Sequence, residues 1–381
     1  MNENTLNKPQ VSIIMPCLNE EEAIGICLGQ VEAVIKKSNL DAEIIVVDNG
    51  SGDNSCNVAR ERKAKLIYEP QAGYGAACLK GFNSARGEFL FLADCDGTYD
   101  FEEIPRFIAE LENGYDFVIG NRFGGIMEKG SMPWMHRYIG NPFLSALFRL
   151  FFNAGINDVH CGMRALTKQS LAKLNLQTSG MEFASEMLIK AVKLKMKIKE
   201  LDINYRKRYG ESKLNSLVDG WRHLRFMLLY SPLFLFFLPG LLSFLSGIFL
   251  MGWMFFTSPK VFGLRLYVYP MFLAALLIII GYQLILFAIF AKTYAVMFLK
   301  DKPIFDRAYK YITIERACIA GIFFSLVGAT IYLKICIDWV SAGFSNINQT
   351  KNSILALTFI IFGMQTFFFS FMLSILGIKE K

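Results

Sequence analysis

The sequence predicts an α/β domain built on a doubly wound, mostly parallel sheet, followed by an all-α domain of four transmembrane helices. Three observations carry this. Short apolar runs alternate with helical patterns through about residue 215, four long apolar stretches follow residue 230, and acidic residues stand at the ends of three of the early runs.

Val11–Met15 is a short apolar run closed by Pro16, and the helical pattern Ala23–Lys36 follows Asn19-Glu20-Glu21-Glu22. Ala42–Val47 is a second strand, ended by Asp48-Asn49-Gly50-Ser51-Gly52-Asp53, with a helix expected through Asn54–Arg62 and a strand at Lys65–Tyr68. Gly73–Arg86 reads as a glycine-started helix, and it leads to the apolar run Glu88–Ala93. That run ends in Asp94-Cys95-Asp96. In extended chain, residues i and i+2 face the same side, so the two carboxylates converge at the carboxyl edge of the sheet, where open α/β folds bind ligands. Adjacent like charges are costly unless a cation or a hydrogen-bond network holds them. A hard divalent ion bridging phosphate oxygens meets that need. The competing reading of D-x-D alone is a solvated turn at a strand end.

Familiar nucleotide motifs are missing. The first strand is not followed by G-x-G-x-x-G, and the chain has no G-x-x-x-x-G-K-[ST], which argues against a dinucleotide dehydrogenase and a P-loop enzyme. Acids end the strands instead: Glu20, Asp48, and Asp94 with Asp96. Asp48 could accept from a base N–H or a ribose hydroxyl, or cap the next helix.

The four apolar stretches are Ser231–Thr257, Val268–Phe298, Ala317–Val340 and Ile354–Ile378, each long enough to span a bilayer. Leu299–Arg316 carries Lys300, Lys302, Arg307, Lys310 and Arg316, whereas Ser258–Tyr267 has only Lys260 and Arg265. Lys351 is alone in the third loop, and Lys379 and Lys381 lie in the tail. Positive-inside bias therefore places the N-terminal domain, the second loop and the C-terminus in the cytoplasm. From residue 231 onward there are twelve Lys/Arg against five Asp/Glu, which leaves 28 of each before it. The net charge of +7 thus belongs to the membrane half and reads as topology and anionic-lipid contact, with no nucleic-acid partner indicated. Met1–Gln10 is polar, and the following apolar run is broken by Pro16 and Asn19, so no cleavable signal peptide is expected. Eight cysteines without paired metal spacing read as free cytosolic thiols.

On these residues the chain resembles the family 2 glycosyltransferases of the GT-A fold, and more narrowly the polyprenyl-phosphate sugar transferases, the dolichyl-phosphate mannose or glucose synthase type. The matching motifs are Pro16-Cys17-Leu18-Asn19-Glu20, Val46-Val47-Asp48-Asn49-Gly50-Ser51, Gly73-Tyr74-Gly75-Ala76 and Asp94-Cys95-Asp96-Gly97. Further on come Gly120-Asn121-Arg122, Asp158-Val159-His160-Cys161-Gly162-Met163-Arg164 and Tyr209-Gly210-Glu211-Ser212-Lys213-Leu214. The likeness runs over about residues 10–215 and is carried by the order of the seven motifs. It implies a GT-A domain at 1–215, an interfacial amphipathic linker at 216–230 and a four-helix transmembrane domain at 231–381. Mannose synthases usually have Gln where this chain has Thr98; Asp48-Asn49 stands for the commoner Asp-Asp, and Cys17-Leu18 for Thr-Tyr or Ala-Tyr. These departures lean towards the glucose-transferring and bacterial-like branches.

The resemblance implies an inverting, metal-dependent hexosyltransferase that attacks a nucleotide sugar, UDP-glucose ahead of GDP-mannose, with a polyprenyl phosphate of undecaprenyl or dolichyl type. Asp94 and Asp96, with Thr98 beside them, would hold Mg2+ or Mn2+ against the diphosphate. Pro16, Leu18, Glu20, Asp48 and the Cys95 backbone would line the nucleotide pocket. A phosphate acceptor is already largely anionic at cytosolic pH and needs positive charge more than a general base. Arginine supplies this best. Arg122 is expected at the sugar phosphate, and Arg137, Arg164, Arg206 and Lys213 at the lipid phosphate. Asp158 would orient a sugar hydroxyl or pair with Arg164; Glu182 is a sugar ligand or a helix N-terminal charge; His136 and His160 are structural. Asp96, Arg122 and Asp158 form the expected catalytic set.

Tyr138–Phe152, with Arg149 as its only charge, reads as an interfacial helix beside Arg137, its alternative being burial within the domain; Leu217–Tyr230 is a second such element. Other readings are a polysaccharide or glycolipid synthase with a hydroxyl acceptor, whose Q-x-x-R-W motif is absent, and a non-catalytic scaffold or flippase partner. Four spans suit a single copy or a homo-oligomer.

Overall fold

The computed structural model describes residues 8–210, 216–257, 260–261, 264–298 and 313–377 of the chain. It divides into two compact units, Met1–Tyr230 and Ser231–Lys381.

The first unit is a seven-stranded sheet flanked by helices. Its elements run β1 (Val11–Cys17), α1 (Glu21–Ser38), β2 (Ala42–Asp48), α2 (Ser55–Glu61), β3 (Lys65–Tyr68), α3 (Tyr74–Ser84) and β4 (Phe89–Leu92). Then come α4 (Ile104–Glu112), β5 (Phe117–Asn121), α5 (Asn141–Phe152), β6 (Arg164–Thr167), α6 (Lys168–Leu174), α7 (Phe183–Lys193), β7 (Ile198–Asp202) and α8 (Ser216–Tyr230). The strand order is β3-β2-β1-β4-β6-β5-β7. Every neighbouring pair is parallel except those of β6, which runs antiparallel to both β4 and β5. The expected doubly wound sheet is therefore present, with one reversed strand inserted. β1, β4 and β5 are buried along their whole length, as strands covered on both faces must be.

This order positions the site. The chain builds β1, β2 and β3 outward in one direction, then returns to lay β4 on the other side of β1. Strand order reverses between β1 and β4, and a crevice opens at their carboxyl ends. The register pairs Ile14 with Leu92, so two residues further on Pro16 lies beside Asp94.

α5 follows a π-type turn, His136–Gly140, and is two-sided. Leu144, Ser145 and Phe148 are buried, while Phe143 and Leu150 are exposed. α8 belongs to the first unit: it packs on α5 and α7, buries Met227 in the core and exposes Trp221 and Leu229.

Among its described residues the second unit has four helices long and apolar enough to cross a membrane, over Leu233–Phe256, Tyr269–Tyr294, Ile314–Ser341 and Thr350–Leu376. The helices are α9 (Leu238–Phe256, after a π-type turn), α10 (Tyr269–Phe298), α11 (Ile314–Ser341) and α12 (Thr350–Gly377). α9 packs on α10, α11 on α12, and α10 on α12. Backbones approach closely where glycines meet: a Cβ at Gly363 would lie 2.5 Å from the Gly321 carbonyl. Lys351 Nζ donates to the carbonyls of Met254 and Thr257 at 2.7 and 3.1 Å, capping the end of α9. Of the basic residues behind the topology argument, Lys300, Lys302, Arg307, Lys310, Lys379 and Lys381 lie outside the described residues.

Candidate active site

Three chain segments meet at the crevice. The first is the β1–α1 turn, where Asn19 adopts a left-handed φ of 51° and the Glu20 carbonyl starts α1 by accepting from Ala23 and Ile24. It interlocks with the β2–α2 loop: the amides of Asn19 and Glu20 donate to Ser51 Oγ and Ser55 Oγ at 2.9 and 2.8 Å, and Gly52 N donates back to Asn19 Oδ1 at 2.7 Å. Pro16 is buried within β1 and its carbonyl accepts from the Cys95 thiol at 3.2 Å; Leu18 is exposed. Asp48 is 4% exposed and folds its own loop, accepting from Gly50 N and Ser51 N at 3.2 and 3.1 Å, so α2 is not what it caps.

The second segment carries the paired acids. Asp96 Oδ1 accepts from both Thr98 N (3.0 Å) and Thr98 Oγ1 (2.6 Å). Thr98 was expected beside a metal. Its hydroxyl donates to Asp96, which fixes the orientation of that carboxylate. Asp94 lies over Gly162, where a Cβ would come within 2.6 Å of Asp94 Oδ2 and 2.9 Å of the Tyr99 hydroxyl. That hydroxyl accepts from Gly162 N at 2.7 Å. Burial and then the charge of Asp96 push the Asp94 carboxyl up to about 7, against the pull of the Tyr74 hydroxyl, Arg208 and Arg122. Cys95 is 1% exposed, and its hydrogen bond with the Cys17 thiol, joined by burial, holds it well above the usual thiol range. It is an inert wall.

The third segment is 203–210, which motif spacing identified only in part. Arg206 N donates to the Thr98 carbonyl at 2.8 Å and Tyr209 N to the Asp96 carbonyl at 3.0 Å, stitching this strap to the D-x-D turn. Tyr209 lies on Gly97, where a Cβ would be 2.3 Å from the ring. Arg206, expected at a lipid phosphate, pairs with Asp100 at 2.5 Å. Arg208 is the arginine that reaches the acids: Nη1 lies 3.2 Å from Asp96 Oδ2, and Nη2 bonds Glu20 Oε1. Of Arg206-Lys207-Arg208 only Arg206 was an expected site residue, because nothing in the spacing says which arginine reaches the acids. Lys213 lies outside the described residues.

Arg122 follows β5. It forms a two-point ion pair with Asp158 and lies over the Tyr205 ring, 5.3 Å from its centroid. Asp158 is fully buried, so it neither faces a sugar hydroxyl nor pairs with Arg164; its loop is held by Glu200, which accepts from the amides of Asn157 and Asp158 at 2.8 Å. Burial opposes the Arg122 charge but Asp158 outweighs it, holding the guanidinium well above its usual value. Arg164 corrects an expectation. It is 1% exposed and gives its guanidinium to the carbonyls of Cys161, Ala184 and Val159 at 2.8, 2.6 and 2.9 Å, stapling β6 to α7. Arg137 is half-buried against Tyr138, and among the described residues it has no carboxylate partner. Glu182 stands at the start of α7 with its carboxylate over Gly180.

Among the described residues no three His, Cys, Asp or Glu side chains converge as a metal cage. Two converging hard-oxygen donors suit Mg2+ or Mn2+, which bind through one or two carboxylates with substrate phosphates supplying further ligands. The donor set therefore fits a diphosphate-bridging cation.

The model of glycosyl transferase family 2 matches residues 12–174, and that of the glycosyltransferase family 2 C-terminal transmembrane region matches 289–377. The low-salt glycan biosynthesis hexosyltransferase Agl6 of Haloferax volcanii is 34% identical over 374 residues, covering 97% of this chain and 89% of that protein. The chain belongs to glycosyltransferase family 2. This family 2 glycosyltransferase is also 32% identical over 212 residues to the dolichyl-phosphate hexose transferase of the same organism, covering 55% of this chain and 89% of that one. A solved structure of glucosyl-3-phosphoglycerate synthase from Mycobacterium tuberculosis, holding Mn2+ and UDP-glucose, aligns with a TM-score of 0.48 at 16% identity, over 58% of this chain and 79% of that one. The glycosyltransferase is an inverting enzyme of the GT-A type, and residues 289–377 of its second unit match the family's C-terminal membrane region.

Proposed function

We propose that this glycosyltransferase moves a hexose from a nucleotide sugar, UDP-glucose first, to a polyprenyl phosphate at the cytoplasmic face of a membrane. One observation carries the reading: the acids Asp94 and Asp96 stand at the β1/β4 reversal of a chain that also has four membrane-length helices. The named activity of the dolichyl-phosphate hexose transferase relative supports the lipid acceptor.

In this reading Asp96, oriented by Thr98, and Asp94 hold a divalent cation. Mg2+ or Mn2+ held there would supply positive charge to the diphosphate leaving group. Pro16, Leu18, Glu20, Asp48 and Cys95 form the wall on which base and ribose lie. Arg137, without a carboxylate partner among the described residues, receives the acceptor phosphate; Arg122, fixed by Asp158, adds positive field to the sugar end. The phosphate oxygen attacks the anomeric carbon from the face opposite the diphosphate and inverts it, so no general base is required. Exposed Trp134, Tyr138, Phe143 and Leu150 around α5, and Trp221 and Leu229 on α8, form an apolar surface suited to a bilayer interface.

Membranes containing the protein, incubated with labelled UDP-glucose, UDP-N-acetylglucosamine or GDP-mannose, test this. The expected product is a mild-acid-labile labelled lipid from UDP-glucose, lost in Asp96→Ala. No labelled lipid from any donor, with either cation, would refute the proposal.

A further inference from the structure

Asp96 has two carboxylate oxygens, and the fold uses both. Oδ1 takes the amide and hydroxyl of Thr98, and Oδ2 takes Arg208 Nη1 at 3.2 Å. A cation that ligates Asp96 must therefore compete with a guanidinium for Oδ2, since Oδ1 already accepts two hydrogens. Arg208 is also tied to Glu20 through its other terminal nitrogen, so it bridges the β1 and β4 sides of the crevice. Its Nε–H is buried without an acceptor, the one guanidinium nitrogen so placed among the described residues. A buried unpaired donor is costly, more so on a charged group. A pose that leaves it unmet is not the best this side chain can reach once an anion arrives.

We propose that Arg208 is an internal counter-ion for Asp96 that yields Oδ2 to the divalent cation and turns its guanidinium to the donor's diphosphate, exchanging one charge partner for another. The inference rests on the proposed nucleotide-sugar reading. Removing one acid's partner without supplying another would leave a partly buried charge unpaired, so the exchange makes cation and diphosphate arrive together. The strap carries the movement: Arg206 N and Tyr209 N are bonded to the backbone on either side of Gly97, so a shift of Arg208 bears directly on the D-x-D turn. Arg208 is thus a residue of the donor site with opposite effects on its two halves.

The test uses full-length protein in lipid nanodiscs, with Mn2+ binding read from the free-ion electron paramagnetic resonance signal and UDP binding read by calorimetry in saturating Mn2+. Arg208→Ala is expected to tighten Mn2+ alone by about tenfold, the scale of a close charge pair, and to weaken UDP by a similar factor. Arg208→Lys, which keeps charge without the fork, falls between wild type and Ala in both. Arg206→Ala, which breaks the pair with Asp100, leaves Mn2+ affinity within about twofold, separating contact from general charge. If Arg208→Ala weakens or leaves unchanged its hold on Mn2+, or leaves UDP binding intact, the exchange is wrong while the transferase reading stands. If wild type binds neither Mn2+ nor UDP, the transferase reading itself fails.

Discussion

Arg122 and Asp158 are locked by two parallel bonds, Nε to Oδ2 at 2.7 Å and Nη2 to Oδ1 at 2.8 Å, with the Arg122 amide donating to the same carboxylate at 3.1 Å. The pair is almost wholly buried, with side chains 8% and 0% exposed. Breaking one half of such a pair leaves an uncompensated charge. Asp158→Ala should therefore destabilise the first unit by about 3–5 kcal/mol, seen as a lowered denaturation midpoint. The double variant Arg122→Met/Asp158→Leu should recover most of that stability while remaining inactive. Recovery of both would remove Arg122 from the reaction.

Gly162 is a test of how tightly Asp94 is held. A methyl group there would meet Asp94 Oδ2 at 2.6 Å and the Tyr99 hydroxyl at 2.9 Å. Gly162→Ala should thus raise the Mn2+ needed for half-maximal activity and cut kcat by at least about tenfold, as displaced metal-site carboxylates do. Unchanged cation dependence would show that Asp94 does not serve the cation.

Thr98→Val keeps shape and removes the 2.6 Å bond to Asp96. The expected cost is about 1 kcal/mol in stability but about 10- to 100-fold in cation affinity or turnover, the span measured for groups that orient metal ligands. A loss confined to stability would make Thr98 a packing residue.

The histidines predict a pH dependence. His160 lies edge-to-face on His223 with centroids 4.4 Å apart, and His223 Nδ1 shares a 2.9 Å hydrogen bond with Ser185 Oγ. Burial, then the neighbouring charges, holds His160 well below the usual imidazole range; burial also lowers His223, to about 4. Between about pH 6.5 and 4 the unfolded chain therefore binds protons that the folded chain refuses. Stability should fall as pH drops through that window, by up to about 3 kcal/mol for His223 alone. Thermal melts of wild type and His223→Phe at pH 7.5 and 5.0 check this; equal slopes would contradict it.

Much of the site was legible because it depends on local chain geometry. Asp94 and Asp96 lie just past the end of β4, in a bend that is not extended chain, and the three strand-end acids follow from where apolar runs stop. Partners across the fold were not legible. Arg164 was a candidate phosphate ligand from its motif, yet it holds backbone carbonyls of Val159 and Cys161 in the loop before β6 and of Ala184 in α7, because a buried loop must satisfy those carbonyls and a long cationic fork reaches three of them. Arg206 was a candidate and Arg208 was not, because residues i and i+2 of extended chain share a side and only their partners across the fold separate them, Asp100 for Arg206 and Asp96 with Glu20 for Arg208. The Asp158 partner, Arg122, likewise comes from just past β5, 36 residues away.

By itself the sequence determined the α/β unit, the four apolar helices after residue 230, the acids at the crevice and the family. Each rests on period, length or local spacing, which a one-dimensional chain records. Tertiary structure decided the reversed strand β6 between β4 and β5, the membership of α8 in the first unit, and above all which arginine neutralises which acid. Those outcomes depend on long-range packing and on the cost of leaving a buried charge alone, a balance set only when distant segments close on one another.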